Sequence, residues 1–235
     1  MRDNRPEWLF DESKQVGVDY TDKDLVANYD NHHERFRDFG QEAQRIATAL
    51  ELSKRSIVLD IGCGTGGVTV HLARICRQVY AVDVSEAMIA TVRAKTAKLR
   101  MENVITVRSG FLTYEHKGDS PDAIIANITL HHLPDFWKQI ALCRLHDLLG
   151  AEGRLFLADV VFGFDPRTYR EEVDSWLSGM RDLAGRQMAD ETVVHVRDEF
   201  STWEWIITGM LERAGFQIDS NLEIMPNIRA YICSK

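Results

Sequence analysis

Four glycines lie within residues 62–67, directly after the apolar run IVLDI at 57–61. An amphipathic stretch follows at 68–76. This order predicts a strand, a tight turn and the start of a helix. Glycines let the backbone turn sharply and approach a ligand closely, and the free N–H groups of a helix start can bind that ligand. The stretch therefore predicts a ligand-binding loop.

Two classes of ligand fit this loop. The spacing Gly62-x-Gly64-x-x-Gly67 matches the dinucleotide fingerprint, so an NAD-dependent oxidoreductase is one hypothesis. Asp60, however, stands two residues before the first glycine, where a carboxylate would repel a pyrophosphate and attract a cationic ligand. S-adenosylmethionine (SAM), which carries an ammonium and a sulfonium group, is such a ligand and is the favoured hypothesis.

The elements that must position this loop are strands and helices that alternate along the chain. This alternation predicts an open parallel sheet with right-handed crossovers. We expect strands at 57–61, 78–82, 104–107, 122–127 and 154–160, helices at 66–76, 85–99 and 134–149, and two closing strands at 216–218 and 228–233.

Residues 58–66 (VLDIGCGTG) resemble the first motif of the class I, Rossmann-like SAM-dependent methyltransferases. The stretch from Asn127 to Leu133 (NITLHHL) resembles the fourth motif of that family. The resemblance implies an α/β fold with a doubly wound, mostly parallel seven-stranded sheet and an antiparallel last strand. N-terminal helices and a helical insertion after the fifth strand would complete it.

Cofactor-binding residues are predicted at the strand ends, where ligands of open α/β sheets bind. Asp83 lies 21 residues after Gly62, a distance at which an acid commonly binds ribose hydroxyls. The resemblance implies that Tyr29 lies over the cofactor and that Asn127 contacts its methionine part. The predicted cofactor-binding residues are Tyr29, Asp60, Gly62, Cys63, Gly64, Gly66, Asp83, Val84, Met88, Gly110, Phe111 and Asn127.

The third strand end departs from the resembled family. An acidic residue commonly stands there and binds the adenine amino group, but this chain reads Ser109-Gly110-Phe111. Phe111 could instead stack on the adenine or offer its backbone N–H. A SAM-binding protein without transferase activity is therefore a further hypothesis.

His131 and His132 are the candidate catalytic residues, because a histidine near neutral pKa suits a general base. A structural role for the pair is the alternative. No Asn-Pro-Pro-Tyr motif is present at Asn127, which disfavours methylation of the amino groups of adenine or glutamine. The four cysteines lack metal-ligand spacing, so no metal site is predicted.

A small-molecule methyl acceptor is expected, because methyl transfer depends on alignment and exclusion of water. Aromatic side chains are frequent in residues 8–39 and 161–208, which should form the acceptor pocket. The net charge of −8 makes nucleic acid an unlikely partner, and a tRNA methyltransferase is kept only as an alternative.

The 235 residues suffice for one α/β domain. We expect a helical lid at 1–50, a cofactor-binding core at 51–160, an insertion at 161–200 and a closing helix and strands at 201–235. Neither a membrane-spanning apolar run nor a signal peptide is apparent, so a cytoplasmic protein without a membrane partner is expected. The oligomeric state is left open.

Overall fold

The computed structural model describes residues 6–14, 16–18, 26, 29–30 and 37–235. Strands and helices alternate through the described part, as the sequence predicts. The strands are β1 (Ile57–Ile61), β2 (Gln78–Asp83), β3 (Val104–Arg108), β4 (Ala123–Asn127), β5 (Arg154–Phe162), β6 (Thr202–Trp203), β7 (Gln217–Met225) and β8 (Ile228–Ser234). The helices are α1 (Phe39–Ala49), α2 (Thr69–Leu72), α3 (Glu86–Lys98), α4 (Asp135–Leu148), α5 (Tyr169–Ala184), α6 (Arg186–Asp198) and α7 (Glu204–Arg213).

Seven strands form one twisted path in the order β3-β2-β1-β4-β5-β8-β7. Strands β1 to β5 are parallel, whereas β8 is antiparallel to both β5 and β7. The two-residue strand β6 pairs separately with the end of β5. The predicted fold class is confirmed, and the parallel order brings the carboxyl ends of β1, β2 and β4 to one edge.

Hydrophobic cores cover both faces of the sheet. Along β1, Val58 belongs to a cluster with residues of α1 and α2, and the next residue, Leu59, belongs to a cluster with residues of α4 and α7. Successive strand side chains point to opposite faces, so an uninterrupted apolar run is what a strand covered on both sides requires. This burial holds the loop after β1 in place.

Local capping signals set two helix starts. Ser85 caps α3 by accepting from the Met88 N–H at 3.3 Å. Asp38 caps α1 in the same way through the Gln41 N–H at 2.9 Å, so this helix begins at Phe39.

The predicted helix at 66–76 is regular only over Thr69–Leu72. The reason is the loop before it, where Gly62, Gly64 and Gly66 all have positive φ. A right-handed helix cannot include these left-handed residues. The loop therefore takes up the first residues of the expected helix.

Helix α6 was not predicted, because its sequence is polar and mixed. Gly185, with φ of +89°, separates it from α5. Packing stabilises it instead, since Met188 and Val196 contact a small cluster that includes Trp176 and Met180. Strand β7 extends well beyond the predicted 216–218. Its full length is not predictable from the sequence, because the strand is largely exposed and lacks an apolar alternation.

The expected helical lid is described only in part. Val26, Tyr29 and Asp30 are helical. The sequence predicts Asp22 or Thr21 as the cap of a first helix, but these residues and the histidine pair at 32–33 lie outside the described residues. No helix in the described ranges combines the length and apolar character needed to cross a membrane.

Candidate functional site

A cavity lies at the carboxyl ends of β1, β2 and β4. Its volume is about 1100 Å³ when the open solvent at its mouth is included. Most of the predicted site residues line the cavity. Those on its wall are Tyr29, Asp60, Gly62, Cys63, Gly64, Asp83, Val84, Met88, Gly110, Phe111, Asn127 and His132. Gly66 lies off the wall, with its Cα facing the Val92 side chain, and His131 is buried behind the cavity.

The glycine loop is shaped by close packing against the loop after β4. Gly62 has φ of +72°, and a Cβ there would lie 2.0 Å from the Thr129 Oγ1. A Cβ on Gly64 would meet no protein atom within 4 Å, which leaves the space over Gly64 open beside the cavity. Gly62 is thus a packing requirement, and Gly64 leaves room for a ligand.

Asp83 joins the glycine loop to the start of α3. Its Oδ2 accepts from the Gly64 N–H at 2.9 Å, and its Oδ1 accepts from the Ser85 N–H at 2.8 Å. Burial raises the pKa of Asp83, and these backbone N–H groups oppose that rise. Each oxygen keeps a further lone pair, so the carboxylate can still accept from two hydroxyls.

Asp60 is a buried carboxyl at the base of the cavity. Its Oδ2 accepts from the Thr69 Oγ1 at 2.6 Å, and the side chain has no other described hydrogen bond. Burial raises the pKa of Asp60 to about 6, against the effect of Thr69 and with a further contribution from nearby Asp83. A cation beside this group would restore its charged form.

Tyr29 is held at the cavity by its neighbour. Asp30 Oδ1 accepts from the Thr65 Oγ1 at 2.5 Å, and the same carboxylate forms an ion pair with Lys95 on α3. These contacts tie the helical residues 29–30 to the glycine loop. Tyr29 lines the cavity, and its contact with the cofactor stays a prediction.

A chain of three polar side chains, Arg37, Glu42 and Asn127, reaches the cavity wall at Arg37 and Asn127, and of these only Asn127 is predicted from the sequence. The Arg37 guanidinium contacts both Glu42 oxygens at 2.9 and 3.0 Å, and the Asn127 Nδ2 donates to Glu42 at 2.8 Å. Burial alone would lower the pKa of Arg37, but the adjacent Glu42 raises it.

His131 is the centre of a buried network. Its Nδ1 lies 2.5 Å from Asp159 Oδ1, and its Nε2 lies 3.4 Å from Glu199 Oε2. Burial acts to lower the pKa of His131, but Asp159 and Glu199 raise it above its usual value. For Asp159, the effect of burial is likewise outweighed by His131, which lowers the pKa of Asp159. The two carboxylates therefore favour the protonated form of the ring between them.

Glu199 connects this network to two other segments. It contacts His195 Nδ1, and its Oε1 accepts from the Val18 N–H at 3.3 Å. Burial raises its pKa, but the hydrogen bond from His195 and the charge of His131 bring it down to about 2. Ligand atoms of His131, His132 and Glu199 lie within 4.8 Å of one another, and these ion pairs account for their proximity.

His132 differs from His131 because it lines the cavity. The two rings lie 4.3 Å apart between centroids. Burial, together with the nearby His131 charge, lowers the pKa of His132 to about 3. The His132 ring is therefore neutral at physiological pH, so the two candidate catalytic residues have different environments.

Replacing Asp60 tests the cost of burying its charge. Because its pKa is higher in the folded state than in the unfolded chain, folding becomes less favourable as pH rises from about 4 to about 6. Asp60→Asn should therefore raise the free energy of unfolding of the ligand-free protein at pH 7.5 by up to about 3 kcal/mol, and by little at pH 3.5. Urea unfolding at both pH values measures this difference. Exposed Asp119→Asn is the control, and equal effects at both pH values for Asp60→Asn would contradict the prediction.

Replacing His131 tests the buried network. His131→Ala leaves Asp159 and Glu199 without their shared cation, so we expect a loss of about 3–5 kcal/mol in the free energy of unfolding. His71→Ala is the matched control, since His71 is half-buried and its ring has no described hydrogen bond; its loss should stay below about 1 kcal/mol. Chemical denaturation measures the free energy of unfolding of both variants. Similar losses of stability in His131→Ala and His71→Ala would argue against the ion-pair network.

Comparison with known proteins agrees with this geometry. Residues 58–153 match the model of a methyltransferase domain family. An uncharacterized methyltransferase of Geobacillus thermodenitrificans is 29% identical over 160 residues, which cover 68% of this chain and 71% of that protein.

Two solved structures share the fold. A SAM-dependent methyltransferase from Aquifex aeolicus superposes with a TM-score of 0.64 at 19% identity, covering 91% of this chain and 98% of that one. The N-methyltransferase NodS from Bradyrhizobium japonicum, solved with S-adenosyl-L-homocysteine, gives 0.64 at 18% identity, with 92% and 99% covered. The methyltransferase-domain match, the curated relative and the shared fold support the resemblance of this chain to the class I, Rossmann-like SAM-dependent methyltransferases.

Proposed function

We propose that this chain transfers a methyl group from SAM to a small-molecule acceptor. The observation that carries the proposal is the single cavity that gathers the glycine loop, Asp83 and the Asn127 loop. These are the strand ends at which an open α/β sheet binds its ligand.

The cavity offers complementary groups to each part of SAM. The Asp83 carboxylate accepts from the ribose hydroxyls, and the apolar side chains of Val84, Met88 and Phe111 border the adenine. Burial disfavours the charged form of Asp60, and a positive charge beside the carboxylate would stabilise that form. Asp60 therefore suits the cationic amino acid part of SAM. The buried Arg37 guanidinium is the group that suits the carboxylate of SAM.

The transfer itself is an in-line displacement at the sulfonium methyl. The protein needs to align acceptor, methyl and sulfur and to exclude water. His132 is neutral and borders the cavity, so its ring can orient an acceptor by hydrogen bonding, but a pKa of about 3 makes it a weak base. His131 is a positioning residue, since it supports His132 from behind and does not line the cavity.

A small acceptor is supported by the cover over the cavity. Lys14 and Val16 of the N-terminal segment lie on its wall beside His132 and Leu133. A polynucleotide would need clustered cations around the entrance, whereas the chain carries a net charge of −8. We further propose that residues 1–235 act as one domain in which 1–50 cover the cofactor; the cytoplasmic location stays a prediction.

Calorimetric titration with SAM and S-adenosyl-L-homocysteine, followed by transfer of label from methyl-labelled SAM, tests the function. We expect both ligands to bind and label to enter the small-molecule fraction of a metabolite extract. Label in tRNA would support the nucleic-acid alternative, and binding without transfer to any fraction would support a binding protein. Absence of binding at millimolar ligand would overturn the proposal, and NADH fluorescence enhancement would then revive the oxidoreductase hypothesis.

The ribose assignment makes a quantitative prediction. Asp83→Ala should weaken binding of S-adenosyl-L-homocysteine by roughly 1–3 kcal/mol, because hydrogen bonds to a carboxylate are lost. Asp119→Ala, a change at an exposed residue outside the cavity, should leave the affinity unchanged. Titration calorimetry of the two variants compares them, and wild-type affinity in Asp83→Ala would refute the assignment.

A further inference from the structure

The carboxylate of Glu12 reaches the loop after β3 from the N-terminal segment. Its Oε1 accepts from the Thr113 Oγ1 at 2.6 Å. The Leu112 N–H lies 3.1 Å from Oε1 and 3.0 Å from Oε2. Two residues of the loop therefore fix this carboxylate, although the chain separates them from Glu12 by about 100 positions.

Glu12 occupies the space that a side chain at position 110 would need. A Cβ built on Gly110 would lie 2.4 Å from both Cδ and Oε2 of Glu12. Gly110 stands at the third strand end, where the sequence lacks an acid. The Glu12 carboxylate therefore lies at the strand end that has no acid of its own. Only a glycine at position 110 leaves room for it there.

This carboxylate faces the same cavity as the proposed adenine wall. Glu12, Gly110, Phe111 and Val84 all line it. Within the described ranges, Leu112 is the one donor to Glu12 Oε2, so that oxygen keeps lone pairs for a ligand. The Phe111 N–H has no acceptor in the described part of the chain. An acceptor and a donor therefore lie near each other on this wall.

Adenine presents the matching pair of groups. Its 6-amino group is a donor, and the adjacent ring nitrogen is an acceptor. A 6-oxo purine reverses both groups, because a carbonyl oxygen replaces the amino group and N1 carries a hydrogen. The carbonyl oxygen would face the carboxylate with like polarity, and the N1–H would face the Phe111 N–H. The combination of Glu12 and the Phe111 N–H therefore distinguishes an amino purine from an oxo purine.

We propose that Glu12 supplies the carboxylate that recognises the adenine amino group, in place of an acid on the β3 loop. This inference rests on the proposed use of SAM. It makes Glu12 a specificity-determining residue, and it makes the N-terminal segment part of the cofactor site.

Competitive titration of the full chain with S-adenosyl-L-homocysteine and S-inosyl-L-homocysteine tests the assignment. The wild-type protein should bind the adenine ligand about 10- to 100-fold more tightly, the range for a hydrogen bond to a charged group. Glu12→Ala should bring the two affinities to within about threefold of each other. Glu12→Gln, whose amide can donate to the 6-oxo group, should narrow or reverse the preference while retaining an acceptor for Thr113.

Glu7→Ala is the matched control, because Glu7 lies in the same segment, is exposed and does not line the cavity. It should keep the wild-type ratio. If Glu12→Ala weakens both ligands equally and leaves their ratio unchanged, Glu12 only anchors the segment and the proposal is wrong. The near-isosteric Glu12→Gln provides the same test if Glu12→Ala does not fold. If the wild-type protein does not bind S-adenosyl-L-homocysteine, the proposed function is wrong, and the Glu12 assignment that rests on it is wrong too.

Discussion

The burial of carboxylates around one cavity is the constraint on which the site depends. Asp60 and Asp83 both have raised pKa values because burial penalises their charge. The Arg37 guanidinium on the cavity wall is paired with both oxygens of Glu42. Among the residues that the structure describes, no cation forms an ion pair with Asp60 or Asp83, and a cationic ligand is a partner that relieves this penalty. The same electrostatics disfavour a pyrophosphate, which the glycine spacing alone would admit.

In the histidine network at the ends of β4 and β5, by contrast, the buried carboxylates have a partner within the protein, because His131 lies between Asp159 and Glu199. The adjacent His132 stays neutral because burial lowers its pKa, and a positive charge on His131 lowers it further. Burial and the neighbouring ring together set the protonation of the residue that does border the cavity. Histidine spacing in the sequence indicates the pair but not this division of roles.

The parts of the site that could be predicted are those that depend on short stretches of chain. The glycine loop, the Ser85 cap and Asp83 at the end of β2 follow from local pattern and from the rule that strand ends meet at one edge. Arg37 and Glu12 could not be found in this way, because tertiary packing alone brings them to the cavity. Helix α6 was missed for a related reason, as packing against α5 stabilises it more than its own sequence pattern.

The N-terminal segment connects the two halves of the site. Glu12 contacts the loop after β3, Asp30 contacts Thr65 in the glycine loop, and the Val18 N–H donates to Glu199 in the histidine network. Described residues of this segment are therefore bonded to the loop after β3, to the glycine loop and to the histidine network. Under the proposed function, these are contacts on the cofactor side and the acceptor side of one cavity, so a change in the segment would affect both sides together.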